Sequence, residues 1–136
     1  MLKKQEVGQK GENAAAEYLI SERFEIVARN YHSRFGEVDI IAQNEKYLLF
    51  VEVKTCTMGA KRLPREAVDT LKQKKLVKTA MIYLSEHEVA LQPRFDVIEV
   101  WIEKESGAIL TVNHIEHAFL GVDFYAFLRL SQNFIL

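Results

Sequence analysis

Apolar positions along this chain change period several times, and each change marks an element. Val7, Gly11, Ala14, Ala15, Tyr18 and Leu19 recur at helical spacing and predict a first helix from about Lys4 to Glu22. Phe24 to Tyr31 reads as a strand, His32 to Gly36 as a turn, and Glu37 to Gln43 as a second strand. After the turn Asn44-Glu45-Lys46, the run from Tyr47 to Cys56 predicts a third strand, apolar enough to be buried on both faces. Thr57 to Leu63 is a basic loop. Pro64 suits the first turn of a second helix running to about Ser85, with Val68, Leu71, Val77, Ala80, Met81 and Leu84 on its apolar side. Arg94 to Ile102 and Ile109 to Ile115 predict two further strands, and the apolar tail a third helix. The order α-β-β-β-α-β-β-α indicates an α/β domain with a central mixed five-stranded sheet flanked by helices.

The third strand ends in a way its apolar start does not demand. Leu48-Leu49-Phe50-Val51 runs into Glu52-Val53-Lys54, and charge on a buried strand must be paired, metal-bound or opened to solvent. Alternation puts Glu52 and Lys54 on one face. If the second strand lies beside it in a hairpin, Asp39 of Gly36-Glu37-Val38-Asp39 reaches that face too. A Glu-x-Lys at a strand end is by itself more often an ordinary surface ion pair. The second carboxylate on the neighbouring strand turns the reading toward a site. Asp39 and Glu52, with the Val53 carbonyl, are oxygen ligands for a hard divalent cation, Mg²⁺ or Mn²⁺. Such an ion polarises a phosphoryl oxygen and lowers the pKa of a bound water, and Lys54 could position that water or stabilise charge on phosphorus. Glu37 either supports the metal ligands from behind or is merely solvated. Glu12, at the margin of the first helix's apolar face, could point into the site, and the interior glycines Gly8 and Gly11 suit a helix that approaches the sheet closely. His114 and His117 sit on a strand end facing opposite ways and read as structural, as does Cys56.

Composition adds limits. The 136 residues suit one domain, with a core from about 4 to 119 and an apolar extension over 120–136. Net charge is −1, but eight basic residues against two acids fall between Lys54 and Lys78, while acids outnumber bases eight to three from Thr79 onward. A basic segment directly after the site is where a phosphate backbone could lie, which nominates Lys61, Arg62, Arg65 and Lys72 for nucleic-acid binding, with Lys72 the best placed to reach inward. A lone cysteine and the lack of a secretory h-region predict a cytoplasmic protein, and the tail is too interrupted by polar residues to span a membrane.

Several strings together resemble a known group. They are Gly8-x-x-Gly11-Glu12, Ala15, Tyr18-Leu19, Arg29-Asn30-Tyr31, Gly36-Glu37-x-Asp39-x-Ile41-Ala42 and Phe50-Val51-Glu52-Val53-Lys54-Thr55, followed by Ala67-Val68, Lys72, Arg94-Phe95-Asp96-Val97 and His114-Ile115-Glu116-His117-Ala118-Phe119. Over Val7 to Phe119 the chain resembles the poorly characterised YraN-like family of bacterial proteins, within the nuclease superfamily carrying the PD-(D/E)xK signature. Val38 stands where that superfamily commonly has proline, and Cys56 where relatives often have arginine. The resemblance implies a restriction-endonuclease-like fold and a metal-dependent nuclease site of Glu12, Asp39, Glu52 and Lys54, similar in layout to archaeal Holliday junction resolvases.

These readings lead to a Mg²⁺- or Mn²⁺-dependent endonuclease hydrolysing phosphodiester bonds in DNA, with branched or structured DNA among its substrates and a role in repair or recombination. A homodimer would suit paired nicks on a two-fold junction. Two rivals stand beside it. One is a catalytically inactive nucleic-acid-binding or repair-accessory protein on the same fold. The other is a protein-interaction module using the C-terminal third.

Overall fold

A computed structural model describes residues 2–58 and 69–119. Helix α1 (Lys4–Ser21) is followed by strands β1 (Glu25–Ser33), β2 (Gly36–Gln43) and β3 (Tyr47–Thr57), helix α2 (Thr70–Glu86), and strands β4 (Gln92–Ile102) and β5 (Ile109–Ile115). The five strands form one sheet in sequence order. β1, β2 and β3 pair antiparallel through short turns, and β4 and β5 do likewise. β3 and β4 run parallel, because α2 carries the chain back across the sheet between them. The expected mixed five-stranded sheet with a helix on each face is what the chain builds, an α/β restriction-endonuclease-like fold. The third helix expected in the tail lies outside the described residues.

Each helix buries one face of the sheet. Ala15, Ala16 and Leu19 of α1 pack on Ile40, Leu49, Val51 and Ile98. Leu76, Val77, Ala80 and Tyr83 of α2 pack on Ile41, Leu48, Phe50 and Phe95. Leu48 to Val51 are all buried because consecutive side chains meet opposite helices, which explains the unbroken apolar run.

Local chemistry sets the boundaries. α2 starts at Thr70, while Pro64, where the sequence suggests its first turn, lies outside the described residues. Asp69 is extended and its carboxylate accepts the Lys72 N–H at 2.8 Å, an N-cap that satisfies a donor no helical carbonyl can reach. Gly11 and Gly8 part company. A Cβ on Gly11 would overlap the Thr55 hydroxyl and lie 2.9 Å from Thr55 Cβ and Cγ2, whereas one on Gly8 would meet nothing within 4 Å. The close approach that interior glycines suggested is therefore real at Gly11, where α1 sits on β3.

β2 does not alternate cleanly. Val38 and Ile41 both pack with the α2 layer, while Ile40 and Ala42 pack with α1, so the strand turns over at Asp39. Across from it, between the paired Arg29–Ile40 and Tyr31–Val38, Asn30 takes a φ of 52°, a left-handed conformation that asparagine tolerates better than most side chains.

A polar lock joins α1, β4 and β5. Asp96, fully buried, accepts Arg94 Nε at 2.9 Å, Arg94 Nη2 at 2.8 Å and the His117 N–H at 3.2 Å, and pairs with His114 Nε2 at 2.7 Å. His114 Nδ1 lies 3.0 Å from the Tyr18 hydroxyl. Burial alone would raise the Asp96 carboxyl, but hydrogen bonds from His114 and Arg94 hold it below its usual range. Both histidines thus face partners within the fold, His117 also meeting the Tyr47 ring edge-on.

Candidate functional site

The site forms where the sheet forks. The β2–β3 ladder runs from Gln43–Leu48 to Ile40–Val51 and ends there, one residue short of Asp39 and Glu52. Beyond that point β2 continues with β1 to Gly36, and β3 continues with β4 to Thr57. Asp39 Oδ2 accepts the Val53 N–H at 2.8 Å, replacing the ladder bond lost at the fork. In a strand the carbonyl of a residue points to the same side as its N–H, so the Val53 carbonyl also faces β2 past the last ladder pair.

The N-terminal turn of α2 roofs the fork and leaves a cleft of about 330 Å³, lined by Gly36, Glu37, Asp39, Glu52, Lys72 and Lys75 among others. Asp39 and Glu52 are 8% and 6% exposed, low values for carboxylates. Glu52 does not pair with Lys54. Its ion-pair partner is Lys72, whose Nζ lies 3.3 Å from Glu52 Oε1, so the surface Glu-Lys pair that could have explained the motif does not form. Burial first, then the hydrogen bond and charge of Asp39, push the Glu52 carboxyl up to about 8, although Lys72 pulls it down. Two carboxylates this dry favour a cation between them.

Glu12 approaches from α1, placed by the Gly11–Thr55 contact. Its Oε1 is buried without a hydrogen-bond partner, the nearest cation being Arg29 at 3.8 Å. Burial raises the Glu12 carboxyl and the charge of Asp39 raises it further, against the pull of Arg29 and Asn30. Glu12 and Lys54 stand outside the cleft lining, and Lys54 is half-buried without an ion pair among the described residues. Glu37 sits on the cleft rim and pairs with His32 at 3.2 Å, both being well exposed. Cys56 is half-buried, and burial pushes its thiol up to about 11. Lys61, Arg62 and Arg65 lie outside the described residues.

Of the residues the sequence nominates, Asp39, Glu52 and Lys72 lie together in the structure. Sequence reasoning misses Lys75, one helical turn beyond Lys72, which the i, i+3 rule applied to the basic run could have found. It also misses Arg29 and Asn30 as neighbours of Glu12.

As a metal site the arrangement is partial but chemically apt. Among the described residues no three His, Cys, Asp or Glu side chains converge into a ready-made cluster. The oxygens of Asp39 and Glu52 suit a hard divalent cation that keeps several waters. The Oε1 of Glu12, facing Arg29 but without a hydrogen bond, is a further oxygen on offer.

A mixed sheet with a carboxylate pair at the fork defines a restriction-endonuclease-like protein. Comparison with known sequences is more specific: residues 11–100 match the uncharacterised protein family UPF0102, and the chain belongs to that family, the YraN-like group. It is 44% identical over 117 residues to a UPF0102 protein of Caldanaerobacter subterraneus subsp. tengcongensis, covering 85% of this chain and 96% of the relative. It is 40% identical over 114 residues to one from Geobacter metallireducens, covering 83% and 91%. A relative from Symbiobacterium thermophilum is 46% identical over 95 residues, covering 69% and 80%. No helix among the described residues is long and apolar enough to cross a membrane.

Proposed function

We propose that this protein is a metal-dependent nuclease that hydrolyses phosphodiester bonds in DNA, branched or structured DNA included, inside the cytoplasm. The observation that carries the reading is the fork: two buried carboxylates, Asp39 and Glu52, converge beside a cleft whose other wall bears Lys72 and Lys75. In this reading Asp39, Glu52 and the Val53 carbonyl hold Mg²⁺ or Mn²⁺, with Glu12 completing the oxygen set. The ion supplies Lewis-acid activation of the phosphate and of a bound water.

The chain's own residues do the rest. The Asp39–Val53 hydrogen bond fixes one carboxylate before any ligand arrives, so little reorganisation is needed on binding. Lys54 turns toward the attacking water or the phosphate as substrate fills the fork. The basic residues Lys72 and Lys75 hold the backbone, with Lys61, Arg62 and Arg65 as further candidates, by charge rather than by base identity. Glu37, engaged with His32 at the rim, steadies the hairpin mouth.

Purified protein is incubated with Mg²⁺ or Mn²⁺ and single-stranded, duplex, flapped and four-way-junction DNA, and RNA. Metal-dependent cleavage lost in both Asp39→Ala and Lys54→Ala is the expected result. No cleavage of any substrate by folded protein refutes the nuclease. A non-enzymatic nucleic-acid-binding role on the same fold is the second reading, favoured by the position of Glu12 and Lys54 outside the cleft. It requires salt-sensitive binding that survives Asp39→Ala.

A further inference from the structure

Among the described residues, Lys72 is the cation in ion-pair contact with the fork carboxylates, and its contact is to Glu52 rather than to a surface acid. The pair is lopsided. The Glu52 side chain is 7% exposed and that of Lys72 is 41% exposed, so one partner is dry and the other can reach water. The backbone of Lys72 is pinned, since its N–H is held by the Asp69 cap, but its four-carbon stem can swing a compact ammonium without moving the helix. A single ammonium balances only one of two adjoining carboxylates. A divalent cation balances both, and it must approach the same Glu52 carboxylate that Lys72 now faces. The two cations repel, so they compete for it. Lys75 lines the same cleft one turn further on, which makes that wall basic.

We propose that Lys72 is an internal counter-ion: it occupies the cation position on Glu52 in the metal-free protein, and a divalent cation displaces it, freeing its ammonium for a backbone phosphate of the nucleic acid entering the cleft. This rests on the metal-dependent reading above and extends it. Metal and nucleic acid are then coupled, because binding the first releases a ligand for the second. The coupling is reciprocal: phosphate that draws Lys72 away from Glu52 strengthens the hold on the metal.

The experiment measures Mn²⁺ binding by the loss of free-ion paramagnetic resonance signal at pH 8, without substrate. The proteins are wild type, Lys72→Met, Lys72→Arg and Lys75→Met, each checked for fold by circular dichroism. Lys72→Met should bind Mn²⁺ about 3- to 10-fold tighter, Lys72→Arg no tighter than wild type, and Lys75→Met within about twofold of it. In parallel, fluorescence anisotropy follows a labelled four-way junction in EDTA and in Ca²⁺. Wild type should gain about fivefold or more in affinity on adding Ca²⁺, and Lys72→Met should gain much less. Unchanged or weaker Mn²⁺ binding by Lys72→Met overturns the counter-ion, as does an equal effect of Lys75→Met, which would reduce it to general charge. An undiminished Ca²⁺ gain in Lys72→Met overturns the hand-over to phosphate. Cleavage is a separate readout: its absence, with the Mn²⁺ results as expected, sinks the nuclease and leaves the counter-ion standing.

Discussion

Replacing Glu52 by glutamine should make the metal-free protein more stable at alkaline pH while removing its response to Mg²⁺. The carboxyl of Glu52 ionises near 4.5 in an unfolded chain and near 8 in the fold, because burial and the adjacent Asp39 oppose its charge. Between those values the folded state holds a proton that the unfolded state has lost. The contribution of Glu52 to stability is therefore fully present below pH 4.5 and is lost as pH rises through about 8. Each pKa unit is worth about 1.4 kcal/mol, so the full swing from pH 4 to pH 9 is on the order of 3–5 kcal/mol. The side chain is 7% exposed, so solvent screens little of it. Glutamine fills the same volume, donates an N–H toward Asp39 and cannot ionise. Lys72 loses its partner but is exposed enough to be solvated.

The assay is urea unfolding of wild type and Glu52→Gln at pH 5, 7 and 9 in EDTA, repeated at pH 9 with Mg²⁺. Near pH 5 the two should be of similar stability. At pH 9 the variant should lead by about 3 kcal/mol or more, and Mg²⁺ should stabilise the wild type alone. Taking the difference between the two proteins removes groups they share, including Glu12, whose raised carboxyl acts in the same direction. Asp96 acts oppositely and in another window, its lowered carboxyl costing stability only as pH falls below its usual value of 3.8. Parallel pH profiles for the two proteins would show that Glu52 is not held protonated by the fork, and the electrostatic description of the site would fail with it.

Two further outcomes follow from packing. Gly11→Ala gains about 1 kcal/mol of helix propensity but drives a methyl into Thr55, for a net loss of about 1–3 kcal/mol that Thr55→Ala should partly restore in the double variant, measured as a urea-unfolding cycle. His114→Ala leaves the buried Asp96 and the Tyr18 hydroxyl each short of a partner; it should cost about 2–4 kcal/mol by the same method, with Mn²⁺ affinity unchanged because no residue of the lock lines the cleft.

Much of the architecture was legible because periodicity and length carry it. The apolar, β-rich run before Glu52 reads as a strand buried on both faces, and such a strand needs a covering layer on each side, which the two helical segments supply. The pairing of Asp39 with Glu52 was legible for the same reason, since a three-residue turn fixes which positions of a hairpin are opposite. What alternation could not show was the turnover of β2 at Asp39, which lies opposite the positive φ of Asn30 in the neighbouring strand, because strict alternation assumes regular backbone throughout. Pro64 and Asp69 both carry helix-start signals, and the cap geometry at Asp69 identifies where α2 begins. Arg94, Asp96, His114 and Tyr18 stood in matched strings without an evident purpose. Their meeting depends on the side-by-side order of β4, β5 and α1, which local pattern does not encode.

The position of the site follows from a competition for backbone groups. Inside a sheet every strand N–H and C=O is spent on a neighbour, so a strand can present oxygens to a ligand only where pairing stops. Here β3 must pair with β2 on one side and with β4 on the other, and β4 is parallel because α2 intervenes. The β3–β4 ladder persists to Thr57, whereas the β2–β3 ladder ends at Val51, and the gap between those two limits is the fork. The crossover that makes β4 parallel also delivers the first turn of α2, with Lys72, over that gap. Carboxylates one step beyond the last pair of the shorter ladder and a lysine at the start of the crossover helix therefore meet as a consequence of strand order. Extending the β2–β3 pairing by one register step would bring Asp39 and Glu52 into the ladder and close the gap in which a cation or a phosphate could sit.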